Sequence, residues 1–94
     1  MSKLVRKFNN KTSIDWCEDP KYNELFIRCR IEYLKELIKI DGLVTLKEVL
    51  RYFGFNTKNY DIPTLTRYWA DGEIDITYVK TDDNEFEITF KTDN

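Results

Sequence analysis

Histidine is absent from this 94-residue chain, and cysteine, glycine and proline are scarce, with two, three and two residues. Histidine is the one side chain whose ordinary pKa lies near neutrality, so a general base here needs a strongly shifted carboxylate, lysine or cysteine. Cys17 and Cys29 fit neither a C-x-x-C motif nor a zinc-binding set. We therefore predict that the protein is not an enzyme, holds no metal or cofactor, and keeps both thiols reduced.

Long hydrophobic runs are also missing. No stretch exceeds three consecutive apolar residues, as in Leu25-Phe26-Ile27. A secretory signal needs about 7–15 such residues and a membrane span needs about 20. We expect a single soluble domain, located in the cytoplasm and making no contact with a membrane.

A helical pattern dominates the middle of the chain. Asp19-Pro20 predicts its start, because an acid at the N-cap followed by proline suits a first turn. Gly42 predicts its end near Ile40. Two apolar stripes lie about 150° apart around this helix. The first stripe consists of Tyr22, Leu25, Phe26, Cys29, Tyr33, Leu37 and Ile40, and the second consists of Ile27, Ile31, Leu34 and Ile38.

Such a helix must be covered on two sides. The simpler interpretation is a central helix wrapped by the rest of the domain. The alternative is that the second stripe (Ile27, Ile31, Leu34 and Ile38) binds a partner or a second copy of the chain.

Two further helices are predicted. Thr45-Leu46-Lys47-Glu48 forms a capping box that starts a helix, which ends at Gly54. Asp61 with Pro63 opens a short third helix over residues 61–71, closed by Gly72.

From Glu73 the apolar period changes from 3.6 to 2, which predicts a hairpin. Matching the apolar faces predicts a three-residue loop, Thr81-Asp82-Asp83, with Asp83 at positive φ. The predicted cross-strand pairs are Tyr78 with Phe86, Ile76 with Ile88, and Ile74 with Phe90.

The predicted fold is α+β and winged-helix-like. A long helix, a strand fragment, two shorter helices and a C-terminal two-stranded antiparallel hairpin make one domain over residues 14–94. Residues 1–13, which carry four basic side chains and no acid, form a basic arm or a short edge strand.

Winged-helix domains often bind DNA through a recognition helix, and the third predicted helix takes that place in this chain. Residues 1–60 hold 12 basic and 8 acidic side chains, whereas residues 61–94 hold 3 basic and 9 acidic ones. The half that would face DNA is therefore negative, which opposes binding to phosphates. The alternative function, a small nucleic-acid-binding regulator, rests on the basic residues Lys3, Arg6, Lys7, Lys11 and Arg67.

The acids of the C-terminal half lie on or beside the outer face of the predicted hairpin. Their spacing of about 6–7 Å along a strand is comparable to that of nucleic-acid phosphates, so this face suits a basic nucleic-acid groove on another protein. The simpler interpretation is a solvated face whose charges discourage aggregation. The candidate partner-binding acids are Asp71, Glu73, Asp75, Asp82, Asp83, Glu85 and Glu87.

Five stretches carry a resemblance to a known group of proteins. They are residues 16–26 (WCEDPKYNELF), 33–38 (YLKELI), 42–50 (GLVTLKEVL), Gly54-Phe55, and 69–75 (WADGEID). Their order resembles small bacteriophage and prophage proteins of Firmicutes that carry no assigned activity. The resemblance covers residues 16–76 and implies a protein that works inside the host bacterium, on a host or phage partner.

These observations predict a non-catalytic phage-type protein-interaction module, present as a monomer or a homodimer. Its boldest form is an inhibitor that occupies a nucleic-acid-binding surface of a host or defence protein, and its plainer form is a virion-assembly component. Nucleic acid itself is disfavoured as a partner.

Overall fold

Three helices and five strands make up the described part of the chain, residues 2–70 and 74–93 of a computed structural model. This arrangement confirms the α+β class. The elements in chain order are β1 (Ser2–Phe8), α1 (Pro20–Asp41), β2 (Leu43–Thr45), α2 (Leu46–Tyr52), α3 (Ile62–Leu65), β3 (Tyr68–Ala70), β4 (Ile76–Asp82) and β5 (Glu85–Thr92).

The local start and stop signals are confirmed for α1 and α2. The Asp19 carboxylate accepts a hydrogen bond from the backbone N–H of Lys21, and Gly42, at φ 78°, donates its N–H to Ile38. Thr45 and Glu48 form the predicted capping box, each side chain accepting from the other's backbone N–H. These caps satisfy backbone groups that a helix end leaves unpaired.

The third helix is much shorter than predicted. Asp61 caps it as expected, accepting from the N–H of Thr64 at 2.9 Å, but α3 is a single turn. The chain then becomes β3, which pairs antiparallel with β2 and places Trp69 opposite Val44. The prediction of a helix over residues 61–71 is therefore wrong, because β2 supplies a strand partner that local periodicity does not show. Its predicted stop at Gly72 lies outside the described residues.

The hairpin is present with a different register. Ile76 lies opposite Phe90, Tyr78 opposite Ile88, and Lys80 opposite Phe86, so the predicted partners of Ile76 and Tyr78 are wrong by two residues, and Ile74 lies before the strand. A shift of two keeps the same side chains on the apolar face. A bulge between Lys80 and Asp82 absorbs one extra residue and leaves a two-residue turn.

Among the residues that the structure describes, only glycines have positive φ, so the prediction of a positive φ at Asp83 is wrong. The bulge removes the need for a residue at positive φ, because the bulge corrects the register within the strand rather than in the turn.

Residues 2–8 form an edge strand, the second of the two predicted possibilities. The larger sheet has the order β1-β5-β4, with Leu4 opposite Phe90 and Phe8 opposite Phe86. Phe8 is fully buried, so this segment also contributes to the core. Strand β4 forms the opposite edge of the sheet.

The two stripes of α1 are used in a way that the sequence left open. Ile27, Ile31, Leu34 and Ile38 are all buried, with Ile31 the most exposed at 8%, and they join Phe8, Phe53, Trp69 and Ile88 in one core cluster. A partner cannot reach side chains that the chain's own core covers. The structure therefore corrects the partner-binding or dimer interpretation of this stripe. Most of the first stripe is exposed, whereas its Phe26 and Leu37 are partly buried against the core.

A buried asparagine joins the segment before α1 to the hairpin turn. Asn23 is fully buried, its Oδ1 accepts from Cys17 N–H at 2.8 Å, and its Nδ2 donates to Asn84 Oδ1 at 2.6 Å. Asn84 Nδ2 also donates to the carbonyls of Cys17 and Glu18. Sequence reasoning missed both asparagines, since a buried polar residue leaves no periodic signal.

We expect Asn23→Ala to lower the free energy of unfolding by about 1–3 kcal/mol, because it removes three hydrogen bonds and leaves the backbone N–H of Cys17 without its side-chain partner. Urea unfolding measures the loss. Asn10→Ala, at an exposed site, is the matched control and should change stability by less than about 0.5 kcal/mol. Equal effects of the two substitutions would show that the network contributes nothing.

Candidate protein-binding groove

A groove of about 960 Å³ runs between helix α1 and strand β4. The helix contributes Leu25, Cys29 and Tyr33, and the strand contributes Ile76, Thr77 and Tyr78. Successive strand residues face opposite sides of a sheet. Because neighbours from both faces of β4 line the groove, the groove follows the edge of the strand over its first three residues.

The helix side of the groove is an exposed apolar row. Leu25 and Tyr33 are 59% and 47% exposed, and the free thiol of Cys29 lies between them in sequence. Residues four apart share a face of a helix, so these three side chains form a continuous row. A row of this kind marks an interaction site more readily than scattered exposed residues do.

The strand side of the groove is an open sheet edge. Within the described residues, β4 pairs with β5 on one side and has no strand on the other. An open edge presents backbone donors and acceptors that can take up another strand. Its length of seven residues corresponds to about 24 Å.

Tyr78 links the two sides. Its ring packs edge-on against Phe86, and its hydroxyl donates to a carboxylate oxygen of Glu24 on α1 at 3.3 Å. Burial, followed by the charge of Glu24, raises the pKa of Tyr78 above its ordinary value. The hydroxyl is therefore a proton donor at neutral pH and holds α1 and β4 together at this point.

Exposed aspartates stand at both ends of the β4 edge. Asp75 precedes the strand, and Asp82 and Asp83 lie at its far end. In the part of the chain that the structure describes, the only ion pairs join Lys35 to Glu32 and Lys39 to Glu36 on α1. The three aspartates therefore keep their negative charge available to a partner.

The predicted acidic face is only partly present. Asp71 and Glu73 lie outside the described residues, whereas Asp75, Asp82 and Asp83 are exposed and Glu85 and Glu87 are half-buried on the central strand. Strand β1 places Lys7 directly opposite Glu87 and Lys3 opposite Lys91. The outer sheet face therefore carries mixed charge, which the sequence could not show because it does not give the pairing of β1.

The basic residues of the alternative function are spread over several elements. Lys3 and Lys7 are exposed on β1, Arg6 points to the other side of that strand, and Lys11 lies in the following turn. Arg67 stands between α3 and β3, where its carbonyl accepts from Leu46. Helix α3, which was expected to carry Arg67 into a DNA groove, is a single turn long.

The groove residues themselves were missed as a site. Leu25, Cys29 and Tyr33 belong to the first stripe, which was not considered as a binding surface. One signal in the sequence distinguishes the stripes. The second consists only of isoleucine and leucine, whereas the first includes two tyrosines, whose hydroxyls favour a partly solvated position.

No three histidine, cysteine, aspartate or glutamate side chains of the described ranges come close enough together to hold a metal ion. No helix within those ranges has the length and apolar character needed to cross a membrane. Comparison with known proteins finds no matching family model, no matching curated protein and no matching solved structure. The resemblance to phage proteins therefore stays a prediction.

Proposed function

We propose that this chain is a non-catalytic protein-interaction module that takes an extended, basic segment of another protein along the β4 edge. The observation that carries the proposal is the open edge of β4 beside the exposed row Leu25, Cys29 and Tyr33. In strand addition, main-chain hydrogen bonds supply affinity and pockets for alternate side chains supply specificity. The β4 edge offers the main-chain hydrogen bonds, and the α1 row offers the side-chain pockets.

Charge complementarity selects the partner. Asp75 at one end of β4, and Asp82 and Asp83 at the other, favour lysine or arginine at both ends of the incoming segment. The net charge of −2 also favours a basic partner. Apolar side chains at alternate positions between those basic ends would occupy the groove.

The resemblance to phage proteins supplies the biological setting of the proposal. The partner is then a host or phage protein met inside the host bacterium. A segment rich in lysine and arginine is typical of surfaces that bind nucleic acid, so occupying it would inhibit a nucleic-acid-handling host or defence protein. A basic segment of a virion protein would serve assembly instead.

The alternative is a winged-helix-like regulator that binds nucleic acid. It needs an element that enters a groove of the duplex, and α3, with four residues, is too short to serve as one. The exposed Lys3 and Lys7 offer phosphate contacts at most.

A displayed random-peptide library, panned against the full chain, tests the proposal. The groove variant Leu25→Lys/Tyr33→Lys changes two exposed positions and loses one edge-on contact, that of Tyr33 with Tyr52, so it should still fold. We expect the enriched peptides to carry alternating apolar residues with basic ends, and their Kd to rise by about tenfold or more for this variant. The matched control is Ile14→Lys/Ile62→Lys, whose side chains are 90% and 75% exposed and outside the groove; its Kd should stay within about twofold.

Three results would overturn the proposal. One is a library that yields no binder, and another is a set of peptides that bind the groove variant as tightly as the original chain. The third is a self-association, measured by sedimentation, that the groove variant abolishes, since the occupant would then be a second copy. Micromolar binding to duplex DNA at about 0.15 M salt, falling steeply as salt rises, would favour the regulator.

Charge reversal tests the ends of the strand separately. Asp82→Lys/Asp83→Lys should weaken binding of the selected peptides by about tenfold at low salt and less at high salt, because exposed charges are screened. Thermal unfolding should be nearly unchanged, since both side chains are exposed. Binding that is insensitive to this change at every salt concentration would remove the argument from charge.

A further inference from the structure

A second pocket, which shares no lining residue with the groove, lies between β1 and the loop that follows α2. Its volume is about 480 Å³. The polar side chains around it include Arg6, Lys11, Asn59 and Tyr60, and none of its lining residues is acidic. It is therefore a cationic pocket on a chain whose net charge is negative.

Arg6 in this pocket lacks the partner that a partly buried guanidinium normally has. Its guanidinium carbon lies 5.2 Å from the ring centre of Phe55 and 5.7 Å from that of Tyr60. Its Nε is buried without a hydrogen-bond partner, and no carboxylate of the described residues pairs with it. The rings stabilise the charge from their faces, but they do not satisfy the N–H donors in the guanidinium plane.

Tyr60 lacks a partner in the same place. Its hydroxyl is the other buried side-chain polar atom of the described residues that has no hydrogen-bond partner. Burial raises the pKa of Tyr60 above its ordinary value, although the nearby charge of Arg6 acts in the opposite direction. The hydroxyl therefore keeps its proton at neutral pH.

The coincidence of these two groups needs an explanation, because buried polar groups in native proteins are nearly always paired. Both unpaired atoms are donors, both belong to residues that line one pocket, and Lys11 adds a second positive charge there. Both donors have almost no accessible surface, so side-chain rotation must turn them toward the pocket, where a ligand that accepts hydrogen bonds and carries negative charge would satisfy all three side chains together.

We propose that this pocket binds the phosphate group of a small molecule, with Arg6 and Tyr60 donating hydrogen bonds and Lys11 supplying charge. The planar fork of arginine matches two oxygens of a phosphate. The pocket volume lies within the range of small-molecule sites, about 300–1,000 Å³, so a group as large as a mononucleotide fits beside the phosphate.

Calorimetry in a low-chloride buffer tests the site with three probes: inorganic phosphate, AMP and adenosine. We expect phosphate to bind with a Kd of about 1–10 mM and AMP to bind about tenfold more tightly, whereas adenosine should not bind at all. Equal Kd values for phosphate and AMP would identify the free ion as the ligand and still support the site. Adenosine binding as tightly as AMP, or no binding of either anion at about 10 mM, would overturn the proposal.

Variants assign the contacts. Arg6→Gln should raise the Kd of AMP by about tenfold or more, whereas Lys3→Gln, on the same strand but outside the pocket, removes one charge and should raise it by less than about twofold. Tyr60→Phe removes only the hydroxyl, keeps the ring against Arg6, and should raise the Kd by about threefold to tenfold. Equal increases in the Kd of AMP for Arg6→Gln and Lys3→Gln would indicate general electrostatic attraction and contradict a built site. An unchanged Kd for Tyr60→Phe would also contradict the proposed site.

Discussion

Replacing Leu34 by glutamate is expected to unfold the chain. Leu34 lies on the buried side of α1 and has no exposed surface. An unpaired carboxylate there carries a large desolvation cost, and the packing of the leucine side chain is lost as well. Together these costs are large compared with the free energy of unfolding of a typical domain, about 5–15 kcal/mol. Far-UV circular dichroism should show loss of helix at room temperature, and sedimentation should show an expanded or aggregated chain.

The neighbouring substitution Tyr33→Glu is the matched control, because Tyr33 is on the same helix but faces the groove. It loses an edge-on ring contact with Tyr52 and should cost only about 1–2 kcal/mol, so the chain should stay folded. Comparing the two variants also distinguishes a buried core position from a position in a dimer interface. If the buried stripe were a dimer seam, Leu34→Glu would convert a dimer into a folded monomer, and that result would contradict the core assignment.

Removing the Trp69 side chain is the second change with a large expected effect. Trp69 is almost fully buried in β3 of the small sheet, and its Nε1 donates to the carbonyl of Lys91 in β5 of the large sheet at 2.6 Å. It therefore connects the two sheets. We expect Trp69→Ala to lower the free energy of unfolding by about 3–5 kcal/mol, measured by urea denaturation.

Two controls divide this loss into its parts. Trp69→Phe keeps a buried ring but removes the hydrogen bond to Lys91, so it should cost less than the alanine variant but still about 1–3 kcal/mol. Leu43→Ala changes a side chain of β2 that is about half exposed and should cost less than about 1 kcal/mol. A Trp69→Ala variant as stable as Leu43→Ala would show that the sheets do not depend on this contact.

Local signals explain why two helices could be predicted from the sequence. The N-cap Asp19 with Pro20, and the capping box from Thr45 to Glu48, act within three or four residues of chain, so the sequence alone contains the whole interaction. Alternation likewise predicts the faces of the hairpin, because it depends only on which residues are apolar.

The remaining features depend on contacts between distant segments. The pairing of β3 with β2 replaces most of the predicted third helix, and the bulge before Asp82 changes the hairpin register without changing its faces. The pairing of β1 with β5 places Lys7 beside Glu87, which changes the charge of the predicted acidic face. None of these pairings has a signature within a short window of sequence.

The choice between the two stripes of α1 has the same origin. Periodicity shows that both stripes are apolar, but which one is buried depends on where the sheet and α2 pack. The groove residues Leu25 and Tyr33 could be found only once that packing was known.

Amide hydrogen exchange tests the central claim, that the open edge of β4 takes an incoming strand, most directly. The chain would be compared alone and saturated with a peptide selected from the library. We expect exchange to slow by about tenfold or more at alternate residues of 76–82, whose N–H groups point away from β5 and would donate to the incoming strand, and to stay unchanged in α2. Protection confined to residues outside β4, with the amides of residues 76–82 exchanging at the same rate in both samples, would contradict the account.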